Sequence, residues 1–325
     1  MTDPLRWGIA ATGSIADQMV TALQTIDDAE VVAVGSRSPE RAAGFAARHA
    51  IPRAHGSHDD LCADPDVDIV YVASPHSAHC EMTVAALEAG KHVLCEKAFA
   101  MNARQAATMV GTARREQRFL MEALWTWFLP PIIEVHRRVT AGEIGEIRVV
   151  QADFGIPVLG EVGRHRELAQ GGGALLDMGI YPIMITRRML GAPDAVRAIG
   201  RLGPTGVDAN VGIVLGHPSG ALGVLHTGLD ALTTLTAEII GTEGTISLDP
   251  PFWYATGFTV NRHDGRPEKV SMPHRGLAHE AVHVMERIRG GHLESDVLPL
   301  DTSVSVMETL DEIRAQIGLR YPEHD

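Results

Sequence analysis

Two short segments of the sequence carry residues that could move a proton. Residues 171–181 contain an acid, Asp177, and a phenol, Tyr181, four residues apart at the predicted start of a helix. At that spacing both side chains project from one helix face. A lone lysine, Lys97, follows an apolar segment that is predicted to be a strand. If the fold brings Lys97 and Tyr181 together, the two side chains form a proton-transfer pair.

Such a pair suits the oxidation of an alcohol by hydride transfer, because that reaction needs a base for the hydroxyl proton. Tyrosine titrates at about 10 when it is unperturbed, and a nearby ammonium group stabilises the phenolate. Asp177 could orient Lys97 or bind a substrate hydroxyl. Each residue taken singly also fits a structural role: Lys97 in a solvated loop, Tyr181 in a core and Asp177 at a helix end.

The elements that would position these residues change character near residue 123. Before it, apolar strands are predicted at 5–11, 30–35, 68–73, 92–95 and 119–122. Helices are predicted between them at 14–24, from 38 onwards, at 79–89 and at 103–116. Apolar strands that alternate with helices indicate an α/β domain with a doubly wound parallel sheet covered on both faces.

After residue 123 the strands follow one another with tight turns, which predicts a mostly antiparallel sheet. These strands are predicted at 146–154, 195–201, 209–215, 220–227, 234–240 and 245–248, and helices at 173–190, 278–289 and 303–317. We therefore expect a cofactor domain at 1–123 and an α+β domain at 124–325 for substrate and oligomerisation, with the option that helix 303–317 packs back on the first domain. One face of the second sheet is suited to pairing with another copy.

A glycine-bearing loop follows the first strand and opens the first helix. It matches the pattern G-x-G-x-x-G, except that alanine replaces the middle glycine. In this context the loop predicts dinucleotide binding, because the helix N-terminus offers N–H groups and a positive dipole end to a pyrophosphate. An ordinary glycine-bearing turn is the alternative. The candidate cofactor contacts are Gly8, Ala10, Thr12, Gly13, Ser14 and Ile15.

The end of the second strand favours NADP over NAD. NAD sites usually place an acid there for the ribose 2′-hydroxyl, whereas this chain has Ser36 and Arg37, with Arg41 one turn later. A guanidinium group can bind a 2′-phosphate through a charge-assisted fork. The alternative is that Arg37 only solvates a loop, and NAD stays an option.

A third polar loop follows the strand predicted at 68–73. It carries Ser74, Pro75, His76 and His79. Loops at the carboxyl ends of parallel strands border the ligand crevice, so these residues are candidate cofactor contacts. His79 could instead serve only local hydrogen bonding.

Composition excludes several classes of protein. The 325 residues carry a formal net charge of -13, which argues against nucleic-acid and anionic-membrane partners. Three cysteines at irregular spacing do not form a disulfide framework. We see neither a secretory signal nor an 18-residue apolar stretch, so a soluble cytoplasmic protein is expected.

Taken in order, the motifs resemble those of the glucose–fructose oxidoreductase and inositol dehydrogenase (Gfo/Idh/MocA) family over essentially the whole chain. The matching segments are Gly8-x-Ala10-x-x-Gly13, Ser36-Arg37, Ser74-Pro75-His76-x-x-His79, Cys95-Glu96-Lys97-Ala98, Met121-Glu122-Ala-Leu-Trp125 and residues 171–181. Many members carry histidine where Tyr181 stands. With tyrosine at this position, the chain is similar to the branch of the family that contains dimeric dihydrodiol dehydrogenases and D-xylose dehydrogenases.

The resemblance implies a Rossmann domain and assigns roles to further residues. Lys97 and Tyr181 would act in catalysis with Asp177 at the substrate, Glu96 and Trp125 would lie near the nicotinamide, and Arg164 would contact substrate or cofactor. A homodimer or homotetramer is also implied. The family usually has proline where Ala98 stands, so we expect a trans peptide bond after Lys97, or a slightly altered lysine position, since a cis bond before a non-proline residue costs about 3–4 kcal/mol.

His279-Glu280-Ala-Val-His283 matches the H-E-x-x-H zinc signature. No third ligand is evident at the expected spacing, so we interpret the segment as the solvated face of a helix and expect no metal.

The sequence therefore predicts an NADP-dependent oxidoreductase acting on a sugar or vicinal-diol hydroxyl, with a small polyol, sugar or diol as substrate. The alternative is a cofactor-sensing regulatory protein of the same fold without turnover. An imine or aldehyde reductase is a third option.

Overall fold

The computed structural model describes residues 3–158, 163–263 and 265–325. The chain divides into two compact units, Met1–Trp125 with Arg275–Val304, and Thr126–His274 with Ser305–Asp325. The sequence analysis assigned residues 275–304 to the second domain, but their contacts place them in the first unit. The division also falls within the last helix, whose later residues group with the second unit.

The first unit contains a six-stranded parallel sheet. Its strands are β1 (Leu5–Ala10), β2 (Ala29–Gly35), β3 (Arg53–His55), β4 (Ile69–Val72), β5 (His92–Glu96) and β6 (Leu120–Ala123). The strand order is β3-β2-β1-β4-β5-β6, and all pairs are parallel. This is the order of a doubly wound dinucleotide-binding sheet. The predicted α/β class is confirmed.

Helices connect these strands. They are α1 (Ser14–Leu23), α2 (Pro39–His49), α3 (His58–Ala63), α4 (His76–Glu88) and α5 (Ala103–Glu116), and α8 (Ala278–Arg289) also belongs to this unit. Three of them begin at a side-chain cap, where Ser38, Ser57 and Asn102 each accept a backbone N–H. The short β3 and α3 are additions to the predicted elements.

The core of this unit explains why its strands read as apolar runs. All four residues of β4 are buried, and Trp7 and Ile9 of β1 are fully inaccessible. Strands covered on both faces have no polar side to show in the sequence. The loops that follow Ala10, Gly35, Val72 and Glu96 all lie at the carboxyl edge of the sheet, where ligands of such sheets bind.

The second unit is built on an eight-stranded sheet. Its strands are β7 (Ile147–Gly155), β8 (Ala195–Leu202), β9 (Asp208–Gly216), β10 (Leu222–Gly228), β11 (Ala237–Gly241), β12 (Gly244–Leu248), β13 (Gly257–Arg262) and β14 (Glu268–Ser271). The order is β14-β13-β12-β11-β7-β10-β9-β8; β7 and β10 are parallel and the other pairs antiparallel. The predicted mostly antiparallel sheet is confirmed, with β13 and β14 as additions.

Helices of the second unit cover one face of this sheet. They are α6 (Pro130–Thr140), which the sequence analysis did not predict, α7 (Ile180–Leu190) and the later part of α9 (Leu300–Ile317). A Cβ on Gly223 of β10 would lie 2.8 Å from Thr186 Cγ2 of α7, so glycine permits this close packing. The opposite face exposes apolar side chains, including Ile199 and Val224.

Among the described residues, no helix combines the length and the apolar character that crossing a bilayer requires.

Candidate active site

The predicted phosphate loop has the shape that a dinucleotide needs. A Cβ on Gly8 would lie 2.9 Å from Val67 Cγ1, so the first glycine is required for packing. Ala11 adopts φ 122°, a conformation that L residues rarely occupy. Gly13 is an extended N-cap, and both Gly13 and Ser14 are exposed at the start of α1. The loop and helix N-terminus therefore fit a pyrophosphate.

The residues expected at the 2′-phosphate lie around the end of β2. Ser36 is buried, and its hydroxyl oxygen accepts a hydrogen bond from the Ser38 N–H at 3.2 Å. Arg37 is exposed. Thr12 and Arg41 line one surface cavity of about 380 Å³, together with Glu40, Gly44 and Arg48. The structure thus brings Thr12 and Arg41 together, as a cofactor contact would require, and Ile15 lies half-buried on α1.

Each residue of the loop after β4 has its own local role. Ser74 is half-buried, Pro75 is the N-cap of α4, and His76 is buried with its ring centroid 5.5 Å from that of His79. His79 is fully inaccessible.

The imidazole of His79 links two backbone segments. Its Nε2 lies 2.9 Å from the Ser74 carbonyl oxygen, and its Nδ1 lies 2.9 Å from that of Ala98. Burial lowers the pKa of His79 to about 4. A neutral imidazole donates to one carbonyl at a time. These contacts support the backbone of the loop, which is the local role that the sequence analysis gave as the alternative for His79.

Lys97 lies just beyond β5 in a strongly hydrogen-bonded turn. The Tyr71 hydroxyl donates to Glu96 Oε1, and the Lys97 N–H donates to Glu96 Oε2 at 3.2 Å. Glu96 is buried, whereas the Lys97 side chain is half-buried. The carboxylate of Glu96 therefore bridges β4 and the turn that presents the lysine.

The expected trans bond after Lys97 is wrong: the Lys97–Ala98 peptide bond is cis. The expectation considered only the intrinsic preference of a peptide bond without proline. In the structure Ala98 is fully buried and its carbonyl oxygen contacts His79.

Asp177 belongs to a helical segment that is irregular where chemistry is expected. Leu175–Gly179 form a π-helical turn that leads directly into α7, instead of the regular helix predicted over 173–190. Such turns occur frequently at functional sites. Asp177 is buried, and its carboxylate lies 3.2 Å from Arg164 Nη2 and 3.0 Å from His165 Nδ1. Arg164, on the 3₁₀ helix Arg164–Arg166, thus contacts the predicted substrate acid.

Tyr181 is buried in an aromatic cluster that the sequence analysis did not identify. Phe154 and Trp253 stack with ring centroids 3.5 Å apart and an interplanar angle of 6°. The Tyr181 ring lies 5.5 Å from Phe154 and 6.2 Å from Trp253. The aromatic run Phe252-Trp253-Tyr254 after a predicted strand was the available signal. Phe154, Trp253 and Tyr181 thus form one aromatic cluster in the second unit.

Trp125, expected near the nicotinamide, is half-buried and opens the 3₁₀ helix Trp125–Phe128.

The H-E-x-x-H segment on α8 is used for local structure. His279 Nε2 accepts the Arg275 N–H at 3.1 Å, and His283 Nε2 lies 2.8 Å from the Ser295 hydroxyl. The interpretation of a solvated face is wrong for Glu280, which is fully inaccessible. Within the described ranges, no group of three or more histidine, cysteine or acidic side chains is placed to hold a metal ion.

Family models match both parts of the chain. One, described as an oxidoreductase family with an NAD-binding Rossmann fold, matches residues 5–124, and the GFO/IDH/MocA C-terminal domain matches residues 132–247.

Curated relatives match along nearly the whole chain. The human trans-1,2-dihydrobenzene-1,2-diol dehydrogenase is 37% identical over 333 residues, which cover 98% of each chain. The Xenopus tropicalis enzyme of the same name is 36% identical over 331 residues, covering 98% of this chain and 99% of the relative.

Solved structures show the same architecture. KijD10, a 3-ketoreductase from Actinomadura kijaniata in complex with NADP and TDP-benzene, superposes with a TM-score of 0.89 at 28% identity, covering 97% of this chain and 98% of that chain. The aldose-aldose oxidoreductase from Caulobacter crescentus gives a TM-score of 0.89 at 25% identity, covering 96% and 97%. From its phosphate loop to its second sheet, the chain is therefore a member of the GFO/IDH/MocA family of NAD(P)-dependent oxidoreductases.

Proposed function

We propose that this protein is an NADP-dependent dehydrogenase of cyclic vicinal diols, with sugars as the second substrate class. The observation that carries the proposal is the helical segment 175–181. In it the buried Asp177 and Tyr181, whose ring contacts aromatic side chains, lie four residues apart. A carboxylate that binds hydroxyl groups, together with neighbouring aromatic rings, suits a cyclic substrate with hydroxyl groups on its edge.

The proposed catalytic pair is Lys97 and Tyr181. Tyr181 takes the proton of the substrate hydroxyl while the carbon–hydrogen bond breaks, which leaves a carbonyl group. The Lys97 ammonium group stabilises the phenolate and lowers the cost of that proton transfer. When it is bound, the nicotinamide accepts the hydride.

Asp177 binds the hydroxyl groups of the substrate in this proposal. Arg164 Nη2 lies 3.2 and 3.3 Å from the two oxygens of its carboxylate, and this charge-assisted contact fixes its orientation. A carboxylate held in this way accepts a hydroxyl proton in a hydrogen bond without rearranging first.

NADP is the proposed cofactor because the end of β2 offers no acid for a ribose 2′-hydroxyl. Ser36 and Arg37 occupy that position, and the Arg41 guanidinium lines the cavity next to Thr12. The KijD10 structure, by its description, holds NADP. The proposed contacts are Gly8, Ala10, Thr12, Gly13, Ser14 and Ile15 at the pyrophosphate, Ser36, Arg37 and Arg41 at the 2′-phosphate, Ser74, Pro75, His76 and His79 at the crevice, Glu96, Lys97 and Trp125 at the nicotinamide, and Arg164 at the cofactor or substrate.

The diol preference draws on the relatives and on the aromatic cluster. The curated relatives are named for a dihydrobenzene diol, a ring with an apolar diene side and two adjacent hydroxyl-bearing carbons. The half-buried Trp253, which stacks on the buried Phe154, offers an aromatic ring beside Tyr181. The Caulobacter crescentus neighbour, named for aldoses, supports sugars as the second class.

The cytoplasm is the proposed location of this protein.

The proposed partner is a second copy of the chain, which would bind through the open face of the second sheet. Ile199, Val214, Leu222 and Val224 leave 41–86% of their surface exposed on β8, β9 and β10. Val214 and Val224 are direct cross-strand neighbours. A contiguous apolar sheet face of this kind suits a two-fold interface, in a dimer or within a tetramer.

The deciding experiment is turnover of purified protein with NADP⁺ and with NAD⁺ on a panel of trans-diols, aldoses and polyols. We expect reduction of NADP⁺ by a cyclic diol. Lys97→Met and Tyr181→Phe should each lower kcat by about 10²–10⁴-fold, the usual contribution of general acid–base catalysis. Both variants should still show a thermal shift with NADP⁺. If the wild-type protein binds NADP⁺ but turns over no member of the panel, a cofactor-sensing regulator replaces the enzyme.

A further inference from the structure

A buried acid, Glu122, supports the turn that carries Lys97. Glu122 lies on β6 with 1% of its surface exposed, opposite Cys95 in the parallel pairing with β5. Its Oε1 accepts the Phe99 N–H at 3.1 Å. The Phe99 amide is two residues beyond Lys97, so Glu122 ties the strand next to β5 directly to the turn after it.

The turn is held between two side chains. On one side Glu122 binds the Phe99 N–H, and on the other the imidazole of His79 lies 2.9 Å from the Ala98 carbonyl oxygen. Both side chains are buried. Two hydrogen bonds from separate elements restrict the backbone of residues 98 and 99, and with it the base of the Lys97 side chain.

Glu122 also carries a proton whose loss changes the electrostatic environment of Lys97. Burial raises the pKa of Glu122 to about 7, and the negative charge of Glu96 adds to that rise. Three groups act in the opposite direction: the Ser303 hydroxyl, the Phe99 N–H and the Lys97 ammonium group.

Burial also raises the pKa values of two other titratable groups of this unit. Burial holds the pKa of the Cys95 thiol well above its ordinary value, so the thiol next to Glu122 carries no charge at neutral pH. Burial, together with Glu96, likewise holds the pKa of Glu280 on α8 well above its ordinary value. Glu122 is thus a buried acid that ionises near neutral pH and binds the turn that carries Lys97.

We propose that Glu122 is a positioning residue for Lys97: it fixes the turn of residues 97–99 through the Phe99 N–H, and its charge sets how strongly Lys97 holds its proton. A carboxylate close to an ammonium group in a poorly solvated setting favours the protonated amine. The effect on turnover rests on the proposed function, whereas the effect on the Lys97 amine does not.

The sequence makes a direct measurement practical, because Lys91, Lys97 and Lys269 are the three lysines of the chain. Protein labelled with ¹³C at the lysine ε-carbon gives three side-chain signals, which Lys97→Met and Lys269→Arg assign. The signals are followed by NMR from pH 6 to pH 11 in the wild type, in Glu122→Gln and in Glu280→Gln. Glutamine at 122 keeps the oxygen that accepts the Phe99 N–H but removes the charge.

In the wild type we expect the Lys97 signal to show a small inflection near pH 7, where Glu122 ionises, before the amine itself titrates. In Glu122→Gln the inflection should vanish and the amine should lose its proton at lower pH. Glu280→Gln is the matched control, since it replaces another fully inaccessible acid of this unit, on α8. Its Lys97 signal should follow the wild type.

A Lys97 signal without the inflection in the wild type overturns the proposal, even if Glu122→Gln does not fold. The same is true if Glu122→Gln and Glu280→Gln titrate alike. In turnover, kcat of Glu122→Gln should fall by about tenfold or more, equivalent to about 1.4 kcal/mol, and lose its dependence on a group near pH 7. NADP⁺ binding should not change. If the NMR result holds and the wild type has no turnover, the proposed function fails and the positioning role stands.

Discussion

The Asp208 carboxylate accepts a hydrogen bond from the Leu175 backbone N–H at 2.7 Å. Leu175 opens the helical segment that carries Asp177 and Tyr181. Asp208 is fully inaccessible at the start of β9, so a buried acid fixes the first turn of that segment to the sheet. Nearby, the Tyr321 hydroxyl donates to the Gly172 carbonyl oxygen at 2.9 Å. Two distant parts of the chain thus hold the backbone at Gly172 and at Leu175, just before Asp177.

Gly173→Ala should strongly destabilise the protein. Gly173 has φ +120°, and a Cβ there would lie 1.9 Å from Asp208 Oδ1, so backbone strain and a clash with a buried acid add together. We expect the free energy of unfolding to fall by about 3 kcal/mol or more, measured by chemical denaturation. Gly191→Ala is the control: its φ is +78° with no atom within 4 Å of the new Cβ, so it suffers backbone strain alone, which should cost about 1–3 kcal/mol and less than strain and clash together. Equal losses in both variants would contradict the packing argument.

Asp208 should make stability depend on pH between about 4 and 6. Burial raises the pKa of Asp208 from 3.8 to about 6. The stabilisation from this raised pKa is fully present below the unfolded value and is lost as the pH rises through the folded value.

A shift of about two units corresponds to about 3 kcal/mol. Asp208→Asn lacks this titration, so the free energy of unfolding of the wild type, minus that of the variant, should fall by about that amount from pH 4 to pH 7. Denaturation at several pH values tests this, and a difference that stays constant or rises with pH would refute it.

Trp253→Ala should lower the catalytic efficiency with cyclic diols. The variant removes the ring that stacks on Phe154 and lies beside Tyr181. We expect kcat/KM for a trans-diol to fall by about tenfold or more, because aromatic contacts combine large area with specific geometry. NADP⁺ affinity should stay the same. Tyr254→Ala, at the half-exposed neighbour, is the control and should retain wild-type kinetics.

Arg41→Ala should reduce the preference for NADP⁺. If its guanidinium binds the 2′-phosphate, loss of this charge-assisted contact should raise KM for NADP⁺ by about 10–100-fold and leave KM for NAD⁺ nearly unchanged. Steady-state kinetics with both cofactors measure the ratio. Arg115→Ala, at an exposed arginine paired with Glu88 and Glu116, is the control. Equal KM changes for both cofactors would argue against a phosphate contact.

Ile199→Glu should disrupt self-association through the second sheet. Ile199 is 86% exposed on β8, and a charge there would be buried unpaired in a sheet-to-sheet interface. Analytical ultracentrifugation should show a smaller assembly than the wild type, whereas Ile133→Glu on α6 should leave it intact. A wild type that is monomeric at micromolar concentration would remove the proposed interface.

Local patterns in the sequence were sufficient for most of the architecture. The apolar runs of β4 and β5 and the glycines at 8 and 13 indicated a parallel sheet with a phosphate loop, because strand burial and loop geometry leave a direct periodic or residue-type signal. The short β3 and α3 were missed because three to six residues carry little periodicity. The helix α6 was missed although its sequence signals it, since prolines stand in its first turn and its buried residues share one face.

The sequence by itself determined the candidate chemistry, since Lys97, Asp177, Tyr181 and the loop at 8–13 are identified by residue type and spacing. Only the tertiary structure decided what supports them: Asp208 lies 33 residues from Leu175, Glu122 lies 23 residues from Phe99, and Phe154 stacks on Trp253. The cis bond after Lys97 and the burial of His79 and Glu280 belong to the same group. Contacts between residues distant in the chain depend on how sheets and helices pack, and one sequence records no trace of that packing in its local pattern.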